Sequence, residues 1–78
     1  MRIYIPELDR TVKDIQIFLT LDEISQLYCD LERMLKEPVE NDHTHFEDET
    51  HQILISEYRE QRNNQFTERI QKVIIEDN

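Results

Sequence analysis

Residues 37–51 carry the side chains with the most chemistry in this sequence. They hold six carboxylates (Glu37, Glu40, Asp42, Glu47, Asp48, Glu49) and all three histidines, His43, His45 and His51. No Lys or Arg lies between Lys36 and Arg59 to offset them. Imidazole and carboxylate together suit Zn or Ni. On an extended His43-Thr44-His45 segment both imidazoles project from one face, close enough to pinch one ion. Glu49 would add an oxygen ligand and His51 a third nitrogen. The same run also reads as an anionic docking surface, or as a solvated loop in which carboxylates hold the histidines charged. Acid–base catalysis would need two carboxylates and a histidine in a cleft that excludes water. Nothing in the pattern supplies that cleft, so no catalytic residue is assigned and the chain is read as non-enzymatic. Cys29 lies opposite the apolar stripe of its helix, with no histidine beside it in sequence, and reads as an incidental thiol.

The elements that must position these groups follow from periodicity. Residues 2–8 read as a first strand, with Ile3 and Ile5 on one face and Pro6 marking an edge or an end. The segment 7–11, with Asp9, suits a turn. Residues 12–19 alternate, Ile15, Ile17 and Leu19 against Asp14, Gln16 and Phe18, which predicts a half-buried strand. Thr20 with Glu23 forms a capping box, and Ile24, Leu27, Tyr28, Leu31, Met34 and Leu35 form one stripe, so a helix is expected over 21–37, stopped by Pro38. A short strand at 42–46 and a strand at 51–58 follow, the latter with Ile53 and Ile55 opposite Leu54 and Tyr58. A second helix is expected over 65–76, capped by Asn63 or Asn64, with Phe66, Ile70, Val73 and Ile74 on one face. The order β-β-α-(β)-β-α predicts an α+β fold. Its form would be a two-layer sandwich, one small antiparallel sheet of three or four strands with both helices on one face. The 78 residues make a single domain, 1–78, with a small core.

Composition narrows the function classes. The net charge is −9, and the chain has neither glycine nor alanine. Excess carboxylate repels a phosphate backbone, so direct nucleic-acid binding is not expected; a protein partner with a basic surface is. Without glycine there is no phosphate-cradling loop and no dinucleotide fingerprint, and turns must use Asp, Asn and Pro. One cysteine allows no internal disulfide, which points to a reducing interior such as the bacterial cytoplasm. No signal peptide and no membrane-spanning run is read.

If the strands share one sheet, its outer face would gather Tyr4, Phe18, Leu54 and Tyr58. That is too apolar for water and suits a partner or a homodimer. Partner binding is therefore assigned to Tyr4, Phe18, Leu54 and Tyr58 with the acids Glu40, Asp42, Glu47, Asp48 and Glu49. A further use of charge is imitation of nucleic-acid phosphates by Asp22, Asp30, Glu32, Glu37, Glu40, Asp42, Glu47, Asp48 and Glu49.

Two resemblances bear on this. The spacing His43-x-His45-x-x-x-Glu49 resembles the first metal motif of cupins, but the flanking glycines are absent and the chain is too short for a jelly roll, so cupin membership is rejected. The run Leu19-Thr20-x-Asp22-Glu23, then Asp30-Leu31-x-x-Met34-Leu35, Pro38, His43-x-His45, Ile53-x-Ile55 and Phe66-x-Glu68-Arg69 resembles a group of small acidic proteins from bacteria, their phages and mobile elements. The resemblance carries no activity. The acidic run and the aromatic face are instead what point to a small cytoplasmic binding protein of a bacterial or phage-infected cell that inhibits or neutralises a protein partner, in the manner of an anti-defence inhibitor. The alternatives are a small-molecule or metal-binding module built on His43, His45 and His51, and a toxin-immunity protein. No cofactor is required, with Zn or Ni the one candidate.

Overall fold

The computed structural model describes residues 1–78. The chain is α+β, with two helices and two antiparallel sheets of two strands each. The elements are β1 (Tyr4–Ile5), β2 (Arg10–Thr11), α1 (Leu21–Lys36), β3 (His43–Glu47), β4 (Gln52–Ser56) and α2 (Glu68–Glu76). They fall into two compact units, residues 18–58 and residues 1–17 with 59–78.

The unit of residues 18–58 holds α1 and the β3–β4 hairpin. α1 starts where the capping box requires. Thr20 Oγ1 accepts from the Glu23 amide, and Glu23 Oε1 accepts from the Thr20 amide at 2.9 Å. Asp22 and Glu23 occupy its first turn, Arg33 and Lys36 its last, each in favourable sense to the helix dipole. The expected apolar stripe divides. Leu27 and Met34 are half-buried, as is Asp30 between them in the same helical row. Asp30 accepts a hydrogen bond from Thr44 on β3, which fixes this row as the side facing the hairpin. Ile24, Tyr28, Leu31 and Leu35 remain exposed.

In the hairpin, His43 pairs with Ser56, His45 with Leu54 and Glu47 with Gln52. Thr44 and Phe46 point inward and are buried; Ile53 and Ile55 are half-buried beside them. Strict alternation thus leaves His43, His45, Glu47, Gln52 and Leu54 on the open side. Asn41, at a φ of 61°, turns the chain before β3, the place of a glycine in a chain that has none.

The other unit pairs the β1–β2 ribbon with α2. Its core is Val73 and Ile74, 3% and 4% exposed. Arg2 Nε donates to the Val73 and Ile74 carbonyls, and Thr11 Oγ1 to that of Asp77 at 2.8 Å, so the ribbon caps the carbonyl end of α2. Lys13 pairs with the Asp77 carboxylate. Asp9 sits at a φ of 49° in the ribbon turn. Its carboxylate accepts from Tyr4 Oη at 2.6 Å and from Arg69 Nε at 2.7 Å, and Arg69 lies 5.2 Å from the Tyr4 ring centroid. The Tyr4 hydroxyl and Arg69 hold the Asp9 carboxyl below its usual range, and Asp9 in turn raises the Tyr4 phenol.

The single sheet of three or four strands under two helices does not form. Residues 12–19 are not a strand: Ile15 and Ile17 are exposed, because alternation predicts a face but cannot supply a neighbouring strand to pair with. The first strand shrinks to Tyr4–Ile5, since Pro6 opens the turn at once. α2 starts later than expected, with Thr67 rather than Asn63 or Asn64 as its cap; Thr67 Oγ1 accepts from the Ile70 amide.

Candidate functional site

The open side of the β3–β4 hairpin brings together part of what the sequence singled out. His43 and His45 project from one face of β3, ring centroids 5.2 Å apart and nearly perpendicular. Leu54 stands across from His45, 59% exposed, and Glu47 continues the row toward the turn. Glu49 is exposed in the turn itself.

His51 does not join the histidine pair. It follows the turn, beside the Glu47–Gln52 rung, while His43 stands at the opposite end of the ladder. Four strand residues separate those ends, about 13 Å. Its Nδ1 lies 3.0 Å from Asp48 Oδ1. Glu49 is likewise at the turn end, so the set His43, His45, Glu49 and His51 is not one cluster. No group of three or more His, Cys, Asp or Glu side chains stands ready to hold a metal ion.

Two of the assigned acids hold the backbone in place. Asp48 Oδ1 accepts from the amides of Thr50 at 2.8 Å and His51 at 2.7 Å, closing the hairpin turn. The Thr50 amide, the His51 ring and the His51 amide together push its carboxyl down to about 2. Asp42 Oδ1 accepts from the His43 amide at 2.8 Å, and its Oδ2 accepts from Arg33 of α1 at 3.2 Å. Arg33 also reaches the His43 carbonyl. Asp30 is bound to Thr44, and Glu32 to Lys36 at 2.7 Å. Of the carboxylates proposed to imitate phosphates, Asp30, Glu32, Asp42 and Asp48 are thus engaged within the chain. Glu47 and Glu49 are presented outward; Glu40 is half-buried.

The aromatic set is divided as well. Tyr4 belongs to the β1–β2 ribbon and Leu54 to the β3–β4 hairpin; Phe18, 86% exposed, lies in no strand, and Tyr58 follows β4 half-buried. They cannot form the outer face of one sheet, because there are two sheets. Of the four, Leu54 alone shares the hairpin face with the histidines and Glu47.

Sequence reasoning missed Asp30, Arg33 and Thr44 as the links between α1 and β3. Thr44 was findable, since it alternates with Phe46 on the apolar side of His-Thr-His-Phe-Glu. A depression along Cys29, Glu32, Arg33, Lys36 and Glu37 is open to solvent. No helix is long and apolar enough to cross a membrane. No protein-family model matches the chain, and neither the curated proteins nor the solved structures contain a significant match.

Proposed function

We propose that this chain is a non-enzymatic binding protein that occupies a basic surface of a protein partner and so inhibits or neutralises it. The observation that carries the reading is the open hairpin face. An exposed apolar anchor, Leu54, is flanked by two aromatic imidazoles and bordered by Glu47, with Glu49 at the tip. An apolar centre with a charged rim is the usual anatomy of a protein contact. Surplus negative charge steers it toward positive surfaces. The partner proposed is a component of a bacterial defence or toxin system, met in the cytoplasm. An immunity protein would differ only in the identity of that partner. Phosphate mimicry is a narrower version, weakened by the internal engagement of Asp30, Glu32, Asp42 and Asp48.

The test is recovery of a defined partner from a bacterial lysate at physiological salt, followed by binding of the purified pair. Leu54→Asp and the double change Glu47→Lys with Glu49→Lys should each abolish the complex while leaving the fold intact. Salt-labile capture of many basic proteins, indifferent to Leu54→Asp, would overturn the reading.

The His43–His45 geometry favours one other reading, a two-imidazole site for Zn or Ni. A rise in melting temperature on adding Zn, lost in His45→Ala, supports it; no rise discards it.

A further inference from the structure

α1 exposes a second surface that the hairpin reading leaves unused. Leu21, Ile24, Tyr28, Leu31 and Leu35 are 83%, 50%, 63%, 38% and 79% exposed. Their spacings alternate three and four residues, the a/d repeat by which one helix seats against another. The row is separate from Leu27, Asp30 and Met34, which face the hairpin. It runs the length of the helix, about 24 Å for sixteen residues.

We infer that a second copy of this chain docks on this row, the two α1 helices running antiparallel about Tyr28. Area is the first argument. With ordinary side-chain areas, the five residues expose roughly 600 Å² per copy, above the ~500 Å² per partner that is the floor for a specific interface and below the ~800 Å² of a standard one, as a small dimer would have. Symmetry is the second. Seen from Tyr28, the row has Leu21 and Leu35 seven residues away on either side, and Ile24 and Leu31 four and three away. Reversing one helix therefore sets Leu21 against Leu35 and Tyr28 against Tyr28, with Ile24 within one residue's rise, about 1.5 Å, of Leu31, a self-complementary contact. Charge is the third. The first turn carries Asp22 and Glu23 and the last Arg33 and Lys36, so antiparallel docking sets acid near base and opposes the helix dipoles. Parallel docking would stack acid on acid. Glu32, flanking the row, is held by Lys36 at 2.7 Å, so the border carries little uncompensated charge. The inference stands independently of the hairpin reading, whose residues it does not use.

Sedimentation of the full chain at roughly 100 µM, a load at which even weak specific dimers populate, should give the dimer mass. Tyr28→Lys, at a side chain exposed in the single copy, should give a folded monomer by circular dichroism; Leu35→Lys is the second variant should the first unfold. Leu54→Lys should leave the dimer intact. Orientation is read in a Cys29→Ser background: Leu21→Cys and Leu35→Cys chains, mixed and oxidised, should yield the mixed disulfide. A monomeric wild type, a dimer that survives both lysine variants, or homodisulfides alone would each overturn the inference.

Discussion

Thr44 Oγ1 donates to Asp30 Oδ2 at 2.9 Å, the side-chain bond that joins the inner side of β3 to α1. Thr44 is 8% exposed, so its hydroxyl has little access to water if the partner is lost. Asp30→Ala should therefore destabilise the chain by about 1–2 kcal/mol, the cost of an unsatisfied buried hydroxyl. Thr44→Val combined with Asp30→Ala should recover much of that loss. Urea unfolding of the two singles and the double measures the coupling; additive losses would show that the bond contributes nothing.

The hairpin turn should respond to acid through Asp48. Its folded-state pKa is about 2 against an ordinary 3.8. The carboxyl is depressed, so the unfolded chain binds the proton more tightly. The stability it contributes is full above about pH 4 and is lost as the pH falls toward 2. Carbon-detected NMR titration should find the Asp48 carboxyl as the most acidic of those near the turn, with the Thr50 and His51 amides shifting alongside. Asp48→Asn keeps an acceptor for both amides and should remove that acid dependence while preserving the turn.

Burial predicts a contrast among apolar residues. Phe46 is 7% exposed, Ile74 4%, and Tyr28 63%. Phe46→Ala and Ile74→Ala should each cost about 2–5 kcal/mol, through lost burial and the cavity left behind. Tyr28→Ala should leave the unfolding of the single copy nearly unchanged at concentrations below self-association. Denaturation at low protein concentration checks all three.

The local elements were legible because short-range physics sets them. Thr20, Glu23 and Pro38 bracket α1 to within a residue, alternation around Ile53 located β4, and the short strand expected at 42–46 overlaps β3. In a glycine-free chain the expectation that Asp and Asn take the turns holds at Asp9 and Asn41. What failed depends on partners that sequence does not name. Ile15 and Ile17 alternate as a strand should, yet no second strand lies against them. The α1 residues read as one stripe became two rows, since the period that groups Ile24 with Leu27 does not say which faces a hairpin. The candidate site came apart for the same reason. His43 and His45 share a face by pleat alone, whereas His51 is fixed by its place after the turn and by Asp48.

Salt should separate the two associations proposed. Raising salt from about 0.1 M to about 1 M shortens the Debye length from about 10 Å to about 3 Å. Two copies at a net charge of −9 each repel at long range, and the α1 row that would join them is apolar at its centre. Screening should therefore tighten self-association, and the apolar contact gains besides from salts excluded from the protein surface. The complex with a basic partner depends on Glu47 and Glu49 and should weaken over the same range. Sedimentation of the chain alone and calorimetry of the purified complex, each across that range, give slopes of opposite sign. Equal slopes would mean that one surface serves both associations, and the separation of the α1 row from the hairpin face would fail.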